Sequence, residues 1–100
     1  MEKQRWRARK REDVMNNIVC EIQKNAQEKI IFRVDEYKGH RFIDMRVFVP
    51  GQNGRQDVAT KKGLAVSPAL WPQFKRALAQ VEAAMIGQGW LDEEDLEAQE

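Results

Sequence analysis

The 100-residue chain holds one cysteine, one histidine, one tyrosine and three prolines. Cys20 has no partner for a disulfide within the chain, which fits a reducing compartment. Cys20 and His40, one of each kind, cannot supply the ligands of a Cys/His zinc site within one chain. A nucleophile would need a base beside it, and His40 is the one ordinary imidazole base; the carboxylates form no pair at strand or helix spacing suited to acid–base work. Gly51 and Gly54 bracket a Gly-Gln-Asn-Gly turn but lack the Lys-Ser/Thr and helix of a phosphate loop. No run approaches the ~18 apolar residues of a membrane span, and no apolar stretch follows the basic N-terminus. These scarcities predict an intracellular protein that is not an enzyme and uses no cofactor or metal.

Charge is plentiful but unevenly placed. Asp, Glu, Lys and Arg make up 33% of the chain, yet the net charge is only +1. Residues 1–11 carry six bases against Glu2, whereas residues 90–100 carry six acids and no base. The sequence therefore divides into a basic N-terminal arm (1–17), a central domain (18–89) and an acidic tail (90–100). A basic arm suits nucleic acid, and an acidic tail with Trp90-Leu91 suits a protein partner; both ends also read as solvated termini that favour solubility.

Between the ends, hydrophobic periodicity marks an α+β domain. Ile18, Cys20 and Ile22 alternate weakly with Val19, Glu21 and Gln23, and residues 23–27 form a polar break. Ile30, Phe32 and Val34 share one face of a firmer strand over 29–37, with Lys29, Ile31, Arg33, Asp35 and Tyr37 on the other. Lys38-Gly39 predicts a tight turn into a strand over 40–49. There Ile43, Met45, Val47 and Val49 oppose His40, Phe42, Asp44, Arg46 and Phe48. A shorter strand is expected over 56–65, bulged at Lys62-Gly63. Ser67-Pro68 predicts a helix start, and Gly87-Gln88-Gly89 its end. Trp71, Phe74, Leu78, Val81 and Met85 recur at intervals of 3 and 4 along that helix, the seam of a two-stranded coil. One helix covers one sheet face at most, so a two-fold dimer through the helices is favoured over packing of the seam on its own sheet.

The strand faces also suggest a ligand. His40, Phe42, Arg46 and Phe48, with Arg33 and Tyr37 beside them, interleave bases with aromatic rings, and Lys61-Lys62 adds two cations at the expected bulge. Cations track phosphates while rings stack on unpaired bases, which describes a single-strand binder. The competing assignment for Phe42 and Phe48 is a second minor core, and for Arg46 an ion pair with Asp44 or Asp35.

Two segments, EYKGHRFIDMR over 36–46 and KKGLAVSPALW over 61–71, together resemble the two signature stretches of the positive cofactor four family of transcriptional coactivators. The order, spacing and intervening Gly-rich loop fit, and the resemblance covers about residues 28–86. It implies a whirly-like fold, a curved antiparallel four-stranded sheet followed by a long C-terminal helix, dimerising through the helices. It implies binding of single-stranded or melted DNA in channels across the dimer. By position, Tyr37 would stack on bases and Lys38, Arg46, Lys61 and Lys62 would clamp the backbone. His40 stands where the family often has Lys, making that contact pH-dependent. The family's second stacking aromatic falls at Val49 and is missing; Phe48 replaces it only through a bulge. Arg33 adds a phosphate contact outside the motif. Absence of a Ser-rich extension points to a bacterial or viral relative, in the bacterial cytoplasm or an infected cell, acting in transcription, replication or recombination. The alternative class is an adaptor that recruits such a protein through the acidic tail.

Overall fold

A two-residue turn sets the register of the sheet. Lys38 and Gly39 both take positive φ, 52° and 80°, as the central pair of a type I′ turn must, and Tyr37 consequently lies opposite His40. Such a turn matches the right-handed twist of its strands, and glycine adopts its second position without steric cost. From there β2 (Lys29–Tyr37) and β3 (His40–Val49) pair antiparallel without a break down to Lys29 opposite Phe48. The computed structural model describes residues 17–98, so the basic arm, Asn17 apart, lies outside the described residues.

β1 (Ile18–Gln23) and β4 (Val58–Val66) flank that hairpin, giving a four-stranded meander in the order β1-β2-β3-β4. Both outer ladders are irregular. β1 shifts register between Ile18 and Cys20. β4 runs from Gly63 to Ala59 while β3 advances only from Arg46 to Phe48. The surplus in β4 is the bulge expected at Lys62-Gly63. Thr60 fixes it: its hydroxyl donates to the Val47 carbonyl at 2.8 Å and accepts the Lys62 amide at 3.1 Å. Gly63 has φ 153°, and a Cβ there would collide with the Met45 carbonyl and the Arg46 Cα. Only glycine fits.

Burial reverses the expected faces. The face of Ile30, Phe32 and Val34 was the natural core by composition, yet Val34 and Leu64 on it are exposed. The fully buried side chains are instead Ile31, Arg33, Asp44 and Phe48, all on the face expected to be open. Their β4 neighbours account for part of this: Asp44, Arg46 and Phe48 lie opposite Ala65, Gly63 and Ala59. Small residues along one face, with a bulge beside them, let the sheet curl toward that face. Lys62 reaches across it to Glu28 at the β1–β2 loop, 3.7 Å away.

The chain divides into two compact units between Pro68 and Ala69. A 3₁₀ turn over Pro68–Leu70 straddles that boundary, and helix α1 of the second unit spans Trp71–Gly87. Ser67 is therefore not its cap: Leu70 occupies that position with no side-chain cap bond, and Pro72 lies in the first turn, where its missing N–H matters least. α1 ends in a Schellman motif, with Trp90 N–H bonded to Met85 O at 2.9 Å, Gly89 N–H to Ile86 O at 3.0 Å, and Gly89 at φ 77°. The acidic stretch holds a short helix, α2 (Glu93–Ala98), with three acids in its first turn, where the helix dipole favours negative charge. No described helix is long and apolar enough to cross a membrane.

Two glycine substitutions should act in opposite directions. Gly63→Ala is expected to lower the unfolding free energy by about 2 kcal/mol or more, since strain and collision both oppose it. Gly87→Ala, in helical backbone with open space around it, should raise it by about 0.5 kcal/mol. Denaturant melts of both variants measure the difference.

Candidate nucleic-acid interface

At the hairpin tip, the positive-φ turn projects Lys38 beside the ring of Tyr37, with Nζ 5.7 Å from the ring centroid. That is cation–π distance. Tyr37 is half-buried, while Lys38 and His40 are exposed. The tip thus offers an aromatic edge, an ammonium and an imidazole. Arg41 beside it is exposed and lies 3.9 Å from Glu36.

Further along the same face runs a row of alternating charges. Arg33 Nη2 donates to Asp44 Oδ2 at 3.2 Å, and Nη1 lies 3.6 Å from Asp35 Oδ2. Arg46 grips the other side of Asp44: Nε donates at 3.2 Å and Nη2 at 3.0 Å to Oδ1, while Nη1 donates to the Thr60 carbonyl at 3.1 Å. Asp44 is 0% exposed and Arg33 1%. The side chain of Arg46 retains 17%. Three of the five N–H groups of Arg46 are used by these bonds, which leaves an edge able to donate outward.

Arg33 and Phe48 therefore do not face solvent as expected. Phe48 is 1% exposed and sits in the core, the minor-core alternative weighed for it. The arginine is held inside because Asp44 would otherwise be a buried charge without compensation. Arg46 takes the ion-pair alternative with Asp44 and keeps partial access.

At the β4 bulge, Lys61 and Lys62 are exposed. Arg46 lies opposite Gly63, so all three cations cluster at one place. Along β3, His40 and Arg46 are separated by about 20 Å at ordinary strand rise. Two positive groups, Lys38 at the tip and Lys61 with Lys62 at the β4 bulge beside Arg46, are thus spaced along the length of β3. Lys29 is not among them: its ammonium bridges Asp57 at 3.2 Å and Glu21 at 3.4 Å. The bond with Asp57, then the charges of Asp57 and Glu21, raise its pKa.

Sequence reasoning missed Thr60 and Glu28. Thr60 gave no signal beyond its place beside two lysines. Glu28 is held by its own loop, accepting from Asn25 Nδ2 at 2.8 Å and from Lys24 Nζ at 3.1 Å. These hydrogen bonds, Asn25 first, hold its carboxyl below the usual range, so it is charged at neutral pH. The readable signal was Asn25 itself, whose Oδ1 accepts the amides of Gln27 and Glu28 as an Asx turn does.

The five helix residues of the expected seam all lie on α1. Trp71 and Phe74 stack at 5.8 Å, Phe74 and Met85 are half-buried, and Trp71, Leu78 and Val81 are exposed. No residue of α1 is buried.

An antiparallel meander with this hairpin, this bulge and a following helix defines a known class. Residues 24–77 match the family described as Transcriptional Coactivator p15 (PC4), and the chain belongs to that family. The matched segment contains both cationic groups. Two crystal forms, tetragonal and orthorhombic, of BPSL1147, a PC4 homolog from Burkholderia pseudomallei K96243, are similar in structure. Each is 28% identical with a TM-score of 0.59 over 65% of this chain, and covers 94% and 86% of the respective homolog chain. No curated protein matches in sequence.

Removing the shared carboxylate should expose how the face is held. Asp44→Ala is expected to cost about 3–5 kcal/mol of stability, because Arg33 is left charged and buried. Lys62→Ala, at an exposed ammonium, should leave the denaturant midpoint essentially unchanged.

Proposed function

We propose that the protein is a sequence-tolerant single-stranded DNA-binding homodimer acting in transcription, replication or recombination. The observation that carries this reading is the placement, within the family segment, of exposed cations at the β2–β3 turn and at the β4 bulge, with Tyr37 beside the turn. In this reading Lys38, Lys61, Lys62 and the free edge of Arg46 hold phosphates, and His40 adds a contact beside Lys38. Tyr37 stacks on bases. Rings accept any base, whereas reading a duplex groove requires paired polar groups that this face lacks. The buried Arg33 and Phe48 shape the surface from within and touch no DNA. Membership of a family described as a transcriptional coactivator supports the DNA partner.

Dimerisation is proposed through α1, using Trp71, Phe74, Leu78, Val81 and Met85. The support is an apolar stripe that the chain leaves unburied, the kind of self-complementary surface a two-fold interface uses. On this reading residues 18–89 form the binding and dimerisation domain and 90–100 an appended acidic element. A second reading, an adaptor that recruits a replication or transcription protein through that element, draws on Trp90, which is 76% exposed immediately before acidic α2.

Salt separates stacking from phosphate contacts. Tyr37→Ala should weaken single-strand binding by about 1–3 kcal/mol with little change in salt dependence. Lys61→Ala should weaken it and flatten the slope of log affinity against log salt by about 0.7. Equal slope changes for both, or equal wild-type affinity for a duplex and a single strand, would contradict the assignment. For the dimer, Leu78→Asp with Val81→Asp should give a monomer by light scattering; a monomeric wild type would remove the claim.

A further inference from the structure

Lys62 is an outlying cation of the bulge group, its side chain 71% exposed, yet it has an acidic neighbour: Glu28 Oε2 lies 3.7 Å from its ammonium. The two partners depend on each other unequally. Glu28 is fixed without Lys62, by the Asn25 amide and the Lys24 ammonium. The loop beneath it is fixed as well. Gln23 Nε2 donates to the carbonyls of Asn25 at 2.6 Å and Glu28 at 3.2 Å, and the Lys24 and Asn25 amides close onto the Glu28 carbonyl. For Lys62, Glu28 is the acid within 4.0 Å among the described residues. A rigid loop therefore presents a carboxylate to a mobile lysine, where a phosphate oxygen would sit to meet the same ammonium.

We propose that Glu28 is a built-in competitor for the DNA backbone: it engages Lys62 in the free protein and must give Lys62 up when a strand phosphate arrives. This rests on the single-strand reading above and adds the control of its affinity. A long contact at an exposed ammonium is readily exchanged, so the competition lowers affinity without blocking the site. Salt screens the ion pair, so the competition fades as ionic strength rises.

Glu28→Gln removes the charge and keeps an oxygen for the Asn25 amide to bind. Measured by anisotropy of a labelled mixed-sequence single strand across a salt series, it should bind about three- to tenfold more tightly at low salt. The gain should shrink as salt is raised, because the competing ion pair is screened. The gain should vanish in a Lys62→Ala background. Unchanged or weaker binding by Glu28→Gln would overturn the proposal, weaker binding meaning that Glu28 only props Lys62 toward the strand. A gain that survives without Lys62 would overturn it too, since that is general repulsion between Glu28 and DNA. If the wild type shows no preference for single strands, the functional reading fails first; if it does and only the Glu28 prediction fails, the fault lies here alone. Should Glu28→Gln melt early, the wild type still decides the matter. The Glu28 side-chain carboxyl carbon should shift by NMR as single strand is added, and a resonance that stays in place overturns the proposal.

Discussion

Asp44 lies entirely out of water between two guanidiniums, with Arg33 on one carboxylate oxygen and Arg46 reaching both. A carboxylate buried alone would cost several kcal/mol, a large share of what holds a small domain together. Arg33 is therefore committed and Arg46 keeps only its outer edge free, and Asp35 beside Arg33 completes a row of two acids and two bases. The row is neutral overall. Whatever positive potential this face offers comes from groups outside it, Lys38 at the turn and Lys61 and Lys62 at the bulge. The buried network thus supplies rigidity and the rim supplies charge.

Geometry follows from the same few residues. The type I′ turn places Lys38 next to Tyr37 because both turn positions have positive φ. The bulge places two lysines beside Arg46 because Thr60 and Gly63 hold surplus backbone there. Alanine and glycine opposite Asp44, Arg46 and Phe48 let the sheet close over its polar row. An antiparallel sheet with one solvated face usually buries its apolar side; this one buries a mixed side and leaves Val34, Val58 and Leu64 open.

Strand existence, the turn, the bulge and the helix stop were legible in the sequence, because each rests on local chemistry: period-2 alternation, Lys38-Gly39, Lys62-Gly63 and the Gly87–Gly89 break. Which face of the sheet is buried was not legible. Apolar count favoured the side of Ile30, Phe32 and Val34, whereas curvature and the pairing of Arg33 with Asp44 decided otherwise, and both depend on residues distant in sequence. The same limit applied to the site. Tyr37, Lys38, Lys61 and Lys62 could be named from their spacing and from the family resemblance. That Arg33 points inward and that Glu28 meets Lys62 follows only from a register linking β1, β2, β3 and β4. Ser67-Pro68 misled by three residues, since the hydroxyl–proline pair opened a 3₁₀ turn ahead of the helix.

A single strand is expected to meet the rim of one sheet face and the outer edge of Arg46, and not the buried Arg33. Titration of the isotopically labelled protein with a short mixed-sequence single strand, followed by amide and side-chain NMR, tests it most directly. The account predicts shifts concentrated at Tyr37, Lys38, His40, Lys61 and Lys62, with the guanidinium signals of Arg33 nearly unmoved. Shifts confined to α1 and α2, or their absence while a duplex produces them, would contradict it.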